Sequence, residues 1–290
     1  MERQWDGKTR GGRTGYAVFI RILKTFGLGP AYALLCLVVP YFVIAAPSQT
    51  RSVWNYASKI LGRGRLRSFL FLFSSYFAFG KALIDRFAIH SGLQEAFSYG
   101  FENHEAMLAP VREGRGVVLI GAHVGSWQMG FPFADRYGAK VNVVMFDNEV
   151  EEVKKVLQSQ TGSDGINVIP VAEGDISSIF AIREALSRGE VVSFQGDRYM
   201  GGNRVLEAEL LGHKALFPAG PFIIASKLRV KVVFYFAMRE KGRRYRFIFR
   251  EATPGAGQEA LLNEYVTALD DVLLHYPQQW FNYYDFWNLG

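Results

Sequence analysis

Hydrophobic and polar positions change rhythm twice along this chain. The first 15 residues are polar and include Gly11, Gly12 and Gly15. Over residues 16–26, Val18, Phe19, Ile22 and Leu23 alternate with Arg21 and Lys24 at a spacing near 3.6, which predicts a basic amphipathic helix suited to a membrane interface. No charge then occurs between Lys24 and Arg51, and residues 30–47 are almost wholly apolar. Roughly 20 apolar residues reach across a bilayer core, so the length permits a crossing. Pro40 predicts a kink part-way. A broken helix that dips in and returns fits as well as a crossing, and a buried helix of the core is the third alternative. Positive residues flank the run on both sides, so the positive-inside rule chooses no orientation. The run is too long and begins too late for a cleaved signal peptide.

Residues 54–67 read as a basic helix. The apolar stretch 69–79 is too short to span and is either core or the greasy lip of a lipid site. From Val111 onward the pattern becomes regular. Strand-length apolar runs occur at 117–122, 141–146, 166–171, 191–195, 205–211, 231–238 and 245–251, and helical spacing at 126–137, 149–160, 176–188, 218–228 and 259–275. This alternation predicts an α/β fold with a mixed, mainly parallel sheet flanked by helices. The pair within 232–251, joined by Lys241-Gly242-Arg243, reads as an antiparallel hairpin. The chain therefore divides into an N-terminal membrane-associated segment, 1–50, and an α/β domain, 51–290.

Composition narrows the chemistry. Of 290 residues 49% are hydrophobic and 15% aromatic, enough for a substantial core. Cys36 is the single cysteine, which excludes an intramolecular disulfide and a cysteine-cluster metal site. The five histidines, at 90, 104, 123, 213 and 275, are dispersed, so no metal is expected. A net charge of +6 suits an anionic lipid surface or an acidic partner. No zinc-finger, homeodomain or RNP-type pattern supports nucleic acid. A Gly-x-Ser-x-Gly elbow, a phosphate-binding Gly-Lys-Ser/Thr loop and a His-Glu-x-x-His helix are all missing.

Candidate chemistry gathers at strand ends, where open α/β sheets bind ligands. The run 117–120 reaches Gly121-Ala122 and delivers His123, with Gly125 and Ser126 following at a predicted helix start. A helix N-terminus favours neutral imidazole and keeps it available as a base; a packed or capping histidine is the alternative. A second strand ends in Phe194-Gln-Gly-Asp197-Arg198. The guanidinium fork of Arg198 suits a phosphate or a developing oxyanion, against a plain turn ion pair with Asp197. Phe217-Pro218-Ala-Gly220 opens a helix whose free N–H groups suit an anion, against a helix start and nothing more. His213 and Lys214 beside it read as surface residues. The terminal Trp280-Phe-Asn282-Tyr-Tyr284-Asp285-Phe286-Trp287 is either a core plug or the wall of a substrate cleft.

These residues resemble the lipid A late acyltransferases, the lauroyl/myristoyl branch of the lysophospholipid acyltransferase superfamily. The resemblance is carried by the hydrophobic segment ending near Tyr41-Phe42, by Gly121-Ala122-His123-Val-Gly125-Ser-Trp127, by Gly196-Asp197-Arg198, by Leu211-Gly212 with Phe217-Pro218-Ala-Gly220-Pro221, and by Gln279-Trp280-Phe281 with Tyr284-Asp285-Phe286-Trp287. It implies a glycerolipid acyltransferase-like fold at the cytoplasmic face of a bacterial inner membrane. The implied reaction moves a fatty acyl group from acyl carrier protein to a hydroxyl of a lipid A precursor, without metal or other cofactor. One position departs from the pattern. The family has His, four residues, then Glu or Asp; here that position is Gln128. On this reading His123 is the base and Gln128 orients it through its amide oxygen, without the charge that stabilises an imidazolium. Other carboxylates, including Asp147 and Asp197, could supply it, though sequence alone does not place them near the ring. Arg198 and the amides around Gly125 would hold a phosphate or the tetrahedral oxyanion. Lys227, Arg229, Lys231, Arg243, Arg244 and Arg246 would attract the carrier or anionic lipid, or form a solvated basic face. Two other readings keep the fold: acyl or aminoacyl transfer to another acceptor (an amine, a polyene, a glycolipid), or a decayed enzyme that binds lipid or carrier. The sequence carries no mark of oligomeric state.

Overall fold

The computed structural model describes residue 21 and residues 25–130, 138, 140–146, 166–171, 177–199 and 202–287. The expected helix over 149–160, most of the one over 16–26 and the second half of the one over 126–137 lie outside the described residues, as does Asp147.

A seven-stranded sheet organises the domain, in the order β1-β9-β8-β2-β5-β3-β4. Its strands are β1 (Ser98–Glu102), β2 (Val117–Gly121), β3 (Val141–Phe146), β4 (Ile166–Val171), β5 (Val191–Gln195), β8 (Lys231–Arg239) and β9 (Arg244–Glu251). All neighbours run parallel except β8 and β9, which form the expected antiparallel hairpin. The predicted α/β fold with its mainly parallel sheet is the fold observed. β2 lies at the centre and every one of its residues is buried. That is why its sequence is a continuous Val-Val-Leu-Ile run rather than an alternating one.

Helices cover both faces. Val118, Ile120, Phe234 and Phe236 point to one side, against α5 (Ser177–Ser187), α6 (Ala219–Leu228) and α7 (Gln258–His275). Val117, Leu119, Val233, Tyr235 and Phe247 point to the other, into a cluster shared with α1 (Leu28–Ala45) and α3 (Arg65–His90). Between α1 and α3 lie α2 (Pro47–Asn55) and one π-helical turn, Tyr56–Ile60; α4 (Glu105–Arg112) leads into β2. α1 continues through Pro40 to Ala45. α1 and α3 approach closely where Leu35 meets Gly80, at which a Cβ would stand 2.7 Å from a leucine methyl. The stretch 69–79 is thus the middle of a 26-residue helix. The basic helix expected over 54–67 is broken instead, between the π-turn and the start of α3 at Arg65.

Two further differences concern strands. β1, Ser-Tyr-Gly-Phe-Glu, has no apolar run to announce it; it is an edge strand, registered on β9 by its backbone. The segment over 205–211 does not join the main sheet. β6 (Val205–Leu210) pairs antiparallel with β7 (His213–Pro218) as a separate ribbon. Leu211 and Gly212 turn it with φ values of 52° and 76°, the two consecutive left-handed residues of a tight hairpin. Residues 213–218, of which 213–217 carried no strand expectation, are therefore strand, and the helix expected over 218–228 runs over Ala219–Leu228.

Candidate active site

β2 and β5 are parallel neighbours with Gly121 opposite Gln195, so whatever follows each strand emerges side by side at one sheet edge. Ala122-His123 follows one, Gly196-Asp197 the other, and the Gly196 N–H donates to the Gly121 carbonyl at 2.8 Å. Asp197 Oδ1 lies 2.7 Å from His123 Nδ1, and Asp197 Oδ2 accepts the His123 backbone N–H at 2.9 Å. Asn282 Nδ2 (3.1 Å) and Trp280 Nε1 (3.4 Å) donate to the same oxygen. The Asp197 side chain is fully buried, while that of His123 keeps 20% of its surface exposed. Burial opposes ionisation of Asp197, but the charge and hydrogen bonds of His123, helped by the Arg198 charge, outweigh it and hold the carboxyl below its ordinary range. A ring that donates from Nδ1 to this carboxylate would leave Nε2 with its lone pair toward the open side. Such an arrangement is chemically able to accept a proton from a hydroxyl.

The backbone beyond the histidine is fastened from two sides. Phe281 N–H donates to the His123 carbonyl (3.0 Å), Gly125 N–H to that of Gln279 (2.8 Å), and Ser126 N–H to that of Ala237 (2.8 Å). Gly125 has φ 62°, and a Cβ there would stand 2.1 Å from the Ala237 oxygen, so no other residue fits. The Gly125 and Ser126 amides expected to hold an oxyanion are therefore committed to protein carbonyls. Among the described residues a four-residue 3₁₀ turn, Trp127–Gly130, follows. Gln128 sits in that turn. No hydrogen bond joins Gln128 to His123 among the described residues, because the ring nitrogen it was expected to orient faces Asp197.

Arg198 points its bonds at the terminal segment: Nε donates to Asn282 Oδ1 at 2.8 Å and Nη2 to the Phe281 carbonyl at 2.9 Å. The other expected cluster is structural in its main members. Phe217 is fully buried against Tyr265 and Phe286, and Pro218 closes β7. The Ala219 N–H at that helix start goes to the Arg204 carbonyl at 2.9 Å, and Gly220 lies exposed beyond it.

Sequence reasoning left the role of the terminal segment open and missed its connections. Trp280 and Asn282 bond to Asp197, Tyr284 donates to the Asp197 carbonyl at 3.2 Å, and Gln279 clamps Arg239 through both its amide oxygen (2.9 Å) and nitrogen (2.7 Å). Asp85 was missed entirely. Fully buried on α3, it accepts bonds from Arg239 Nε (2.6 Å), the Tyr245 hydroxyl (2.7 Å) and the Tyr32 hydroxyl. A lone acid inside Ala-Leu-Ile-Asp-Arg-Phe-Ala-Ile was the available signal.

A family model described as bacterial lipid A biosynthesis acyltransferase matches residues 76–285, a span that includes His123, Asp197 and the terminal segment as far as Asp285. The chain belongs to that family. No individual curated protein matches it. Membership makes this lipid A biosynthesis family protein an acyltransferase acting on lipid, and α1 and α2 lie outside the matched span. Two helices, Leu28–Ala45 and Arg65–Ile89, are long and apolar enough to cross a membrane by length and composition, which together with the family points to membrane association.

Proposed function

We propose that the protein transfers a fatty acyl group from an acyl-carrier-protein thioester to a hydroxyl of a lipid A precursor or a related membrane lipid, at the cytoplasmic face of the inner membrane. The carrying observation is the His123–Asp197 pair, with one ring nitrogen held by a buried carboxylate and the ring part-open to its surroundings. His123 Nε2 takes the proton of the acceptor hydroxyl as its oxygen attacks the thioester carbonyl. The tetrahedral intermediate collapses with loss of the carrier thiolate, to which the imidazolium returns the proton. Asp197 keeps Nδ1 protonated and stabilises the imidazolium meanwhile.

Gln128 had raised the reading of a decayed enzyme, because a neutral amide cannot supply that charge. Asp197 supports an active one, since the charge comes from another strand. Arg198 acts in this scheme by fixing Asn282 and Phe281, the groups that hold Asp197 and the His123 carbonyl.

The test is acyl transfer by the full chain in anionic lipid vesicles, with acyl-loaded carrier protein and candidate acceptors, products being read by mass spectrometry. Wild type should give an acylated lipid and His123→Ala none. Full activity in His123→Ala would remove the base and the proposal with it.

A further inference from the structure

We propose that α1 lies in the plane of the membrane interface, its length pressed against the catalytic domain, and does not cross the bilayer. The inference rests on the membrane association proposed above and says how it is achieved.

Both ends of α1 are tied to the domain. Near its start, Tyr32 donates to Asp85 and lies under Arg239 of β8, whose guanidinium carbon is 5.6 Å from the ring centroid. Its middle packs on α3, with Leu35 against Gly80. Just past its end, Thr50 donates to the Val43 carbonyl (2.9 Å) and meets the Tyr76 hydroxyl (3.1 Å). α1 thus runs antiparallel along α3. α3 in turn is fixed to the domain near both its ends, by Phe71 and Leu72 in one core cluster and by Asp85 and Ile89 at the other. Eighteen helical residues measure about 27 Å, close to the roughly 30 Å of a bilayer core. If α1 stood across that core, the flanking sheet edge and basic turns would be drawn into hydrocarbon with it, at a prohibitive desolvation cost.

Lying flat resolves a second oddity. An interfacial helix ordinarily has a polar face, yet α1 has no charge on any side. Its inner stripe, Leu28, Ala31, Leu35 and Val39, is buried by protein, so that face needs neither water nor headgroups. Its outer stripe includes Cys36, Leu37 at 75% exposure, Tyr41 at 65% and Ile44 at 81%, and Leu66, Phe69 and Leu70 add apolar surface at the start of α3. Arg65 and Arg67 are exposed among these last residues, with Arg51 and Lys59 exposed on the connecting segment. An apolar face bordered by cations fits an anionic bilayer surface.

The native chain carries its own probe, since Cys36 is its only cysteine and sits mid-helix on the outer stripe. It can be labelled with an environment-sensitive fluorophore in the full-length protein, on phosphatidylethanolamine–phosphatidylglycerol vesicles with quenchers at graded depths. Pro30→Cys, Leu37→Cys, Tyr41→Cys and Ile44→Cys, each with Cys36→Ser, extend the readout along exposed positions. The expected result is one shallow depth for all five labels, about 5–10 Å below the headgroup boundary. A depth that changes by about 1.5 Å per residue, with Cys36 near the bilayer centre, would show a crossing and overturn the pose while leaving membrane association intact. Labels that no lipid quencher reaches would overturn membrane association itself.

Discussion

A carboxylate removed from water stays ionised only where donors replace the solvent, and Asp197 meets four of them, two from His123 and one each from Trp280 and Asn282. That concentration of partners on one side chain, against none between Gln128 and His123, separates the two candidate orienters at the scale of single residues. Asp197→Asn keeps the shape and removes the charge. The comparable change in serine proteases costs on the order of 10⁴ in rate, so kcat should fall by a similar factor here. Gln128→Ala should stay within about tenfold of wild type, well short of the roughly 10²–10⁴ that positioned proton transfer supplies. Steady-state kinetics on both variants decide between them, and equal losses would contradict the assignment. A pH dependence follows as well. The folded carboxyl sits below its unfolded value of about 3.9, so its contribution to stability is complete above that pH and is lost as pH falls through the lower folded value. Urea unfolding of wild type and Asp197→Asn should therefore differ most near neutrality and converge as the solution is acidified below about pH 3.9. Sequence could name Asp197 only as one example among carboxylates it could not place. His123 and Asp197 are 74 positions apart, and only the pairing of Gly121 with Gln195 brings them together.

At the scale of elements, legibility followed apolar patterning. β2, β3, β5 and β8 were readable because central strands must be apolar, and the β8–β9 hairpin because its turn is Lys-Gly-Arg. β1 was not, since its Ser-Tyr-Gly-Phe-Glu has no apolar run and rests on backbone bonds to β9, whereas the opposite edge strand, β4, was legible in Ile-Asn-Val-Ile-Pro-Val. The β6–β7 ribbon was half-read: the 205–211 strand was expected, but Gly212, whose φ of 76° turns the hairpin, was not read as a turn and its partner strand was missed. α3 held the largest surprise. Its Asp85 is buried among Arg239, Tyr245 and Tyr32, and joins α1, α3, β8 and β9 at one point. Removing one partner of such a pair strands the other charge without solvent, a cost of about 3–5 kcal/mol. Asp85→Ala should lose stability of that order in chemical denaturation. Asp85→Leu combined with Arg239→Met should recover much of it, as paired apolar replacements do. A loss under about 1 kcal/mol for the single variant would mean that water already reaches the pair.

For the whole molecule, the sheet's polarity sorts the basic residues into two groups that sequence could not separate. β8 runs parallel to β2, so its far end and the turn into β9 share the edge that carries His123; Gly125 bridges to Ala237 there. Lys241, Arg243 and Arg244 stand exposed at that edge. Lys227, Arg229 and Lys231 lie at the opposite end of β8, some 26 Å away along the strand, and Lys231 is already paired with Glu251 at 2.8 Å. Arg246 is engaged by Glu102 at 2.6 Å. The Debye length at physiological salt is about 8 Å, so on the proposed reaction a carrier bringing its thioester to His123 would be steered by the near group and screened from the far one. Lys241→Glu with Arg243→Glu should raise KM for carrier-bound donor by about tenfold, flatten its salt dependence and leave kcat little changed, the pattern expected when a rim charge sets encounter rather than chemistry. Lys227→Glu with Arg229→Glu should leave all three within about twofold, because those charges lie several screening lengths from the docked carrier. Kinetics over a range of salt concentrations read both pairs. Were the far pair the one to raise KM, the carrier would approach from the wrong edge of the sheet, and its thioester could not reach the imidazole in the pose proposed here.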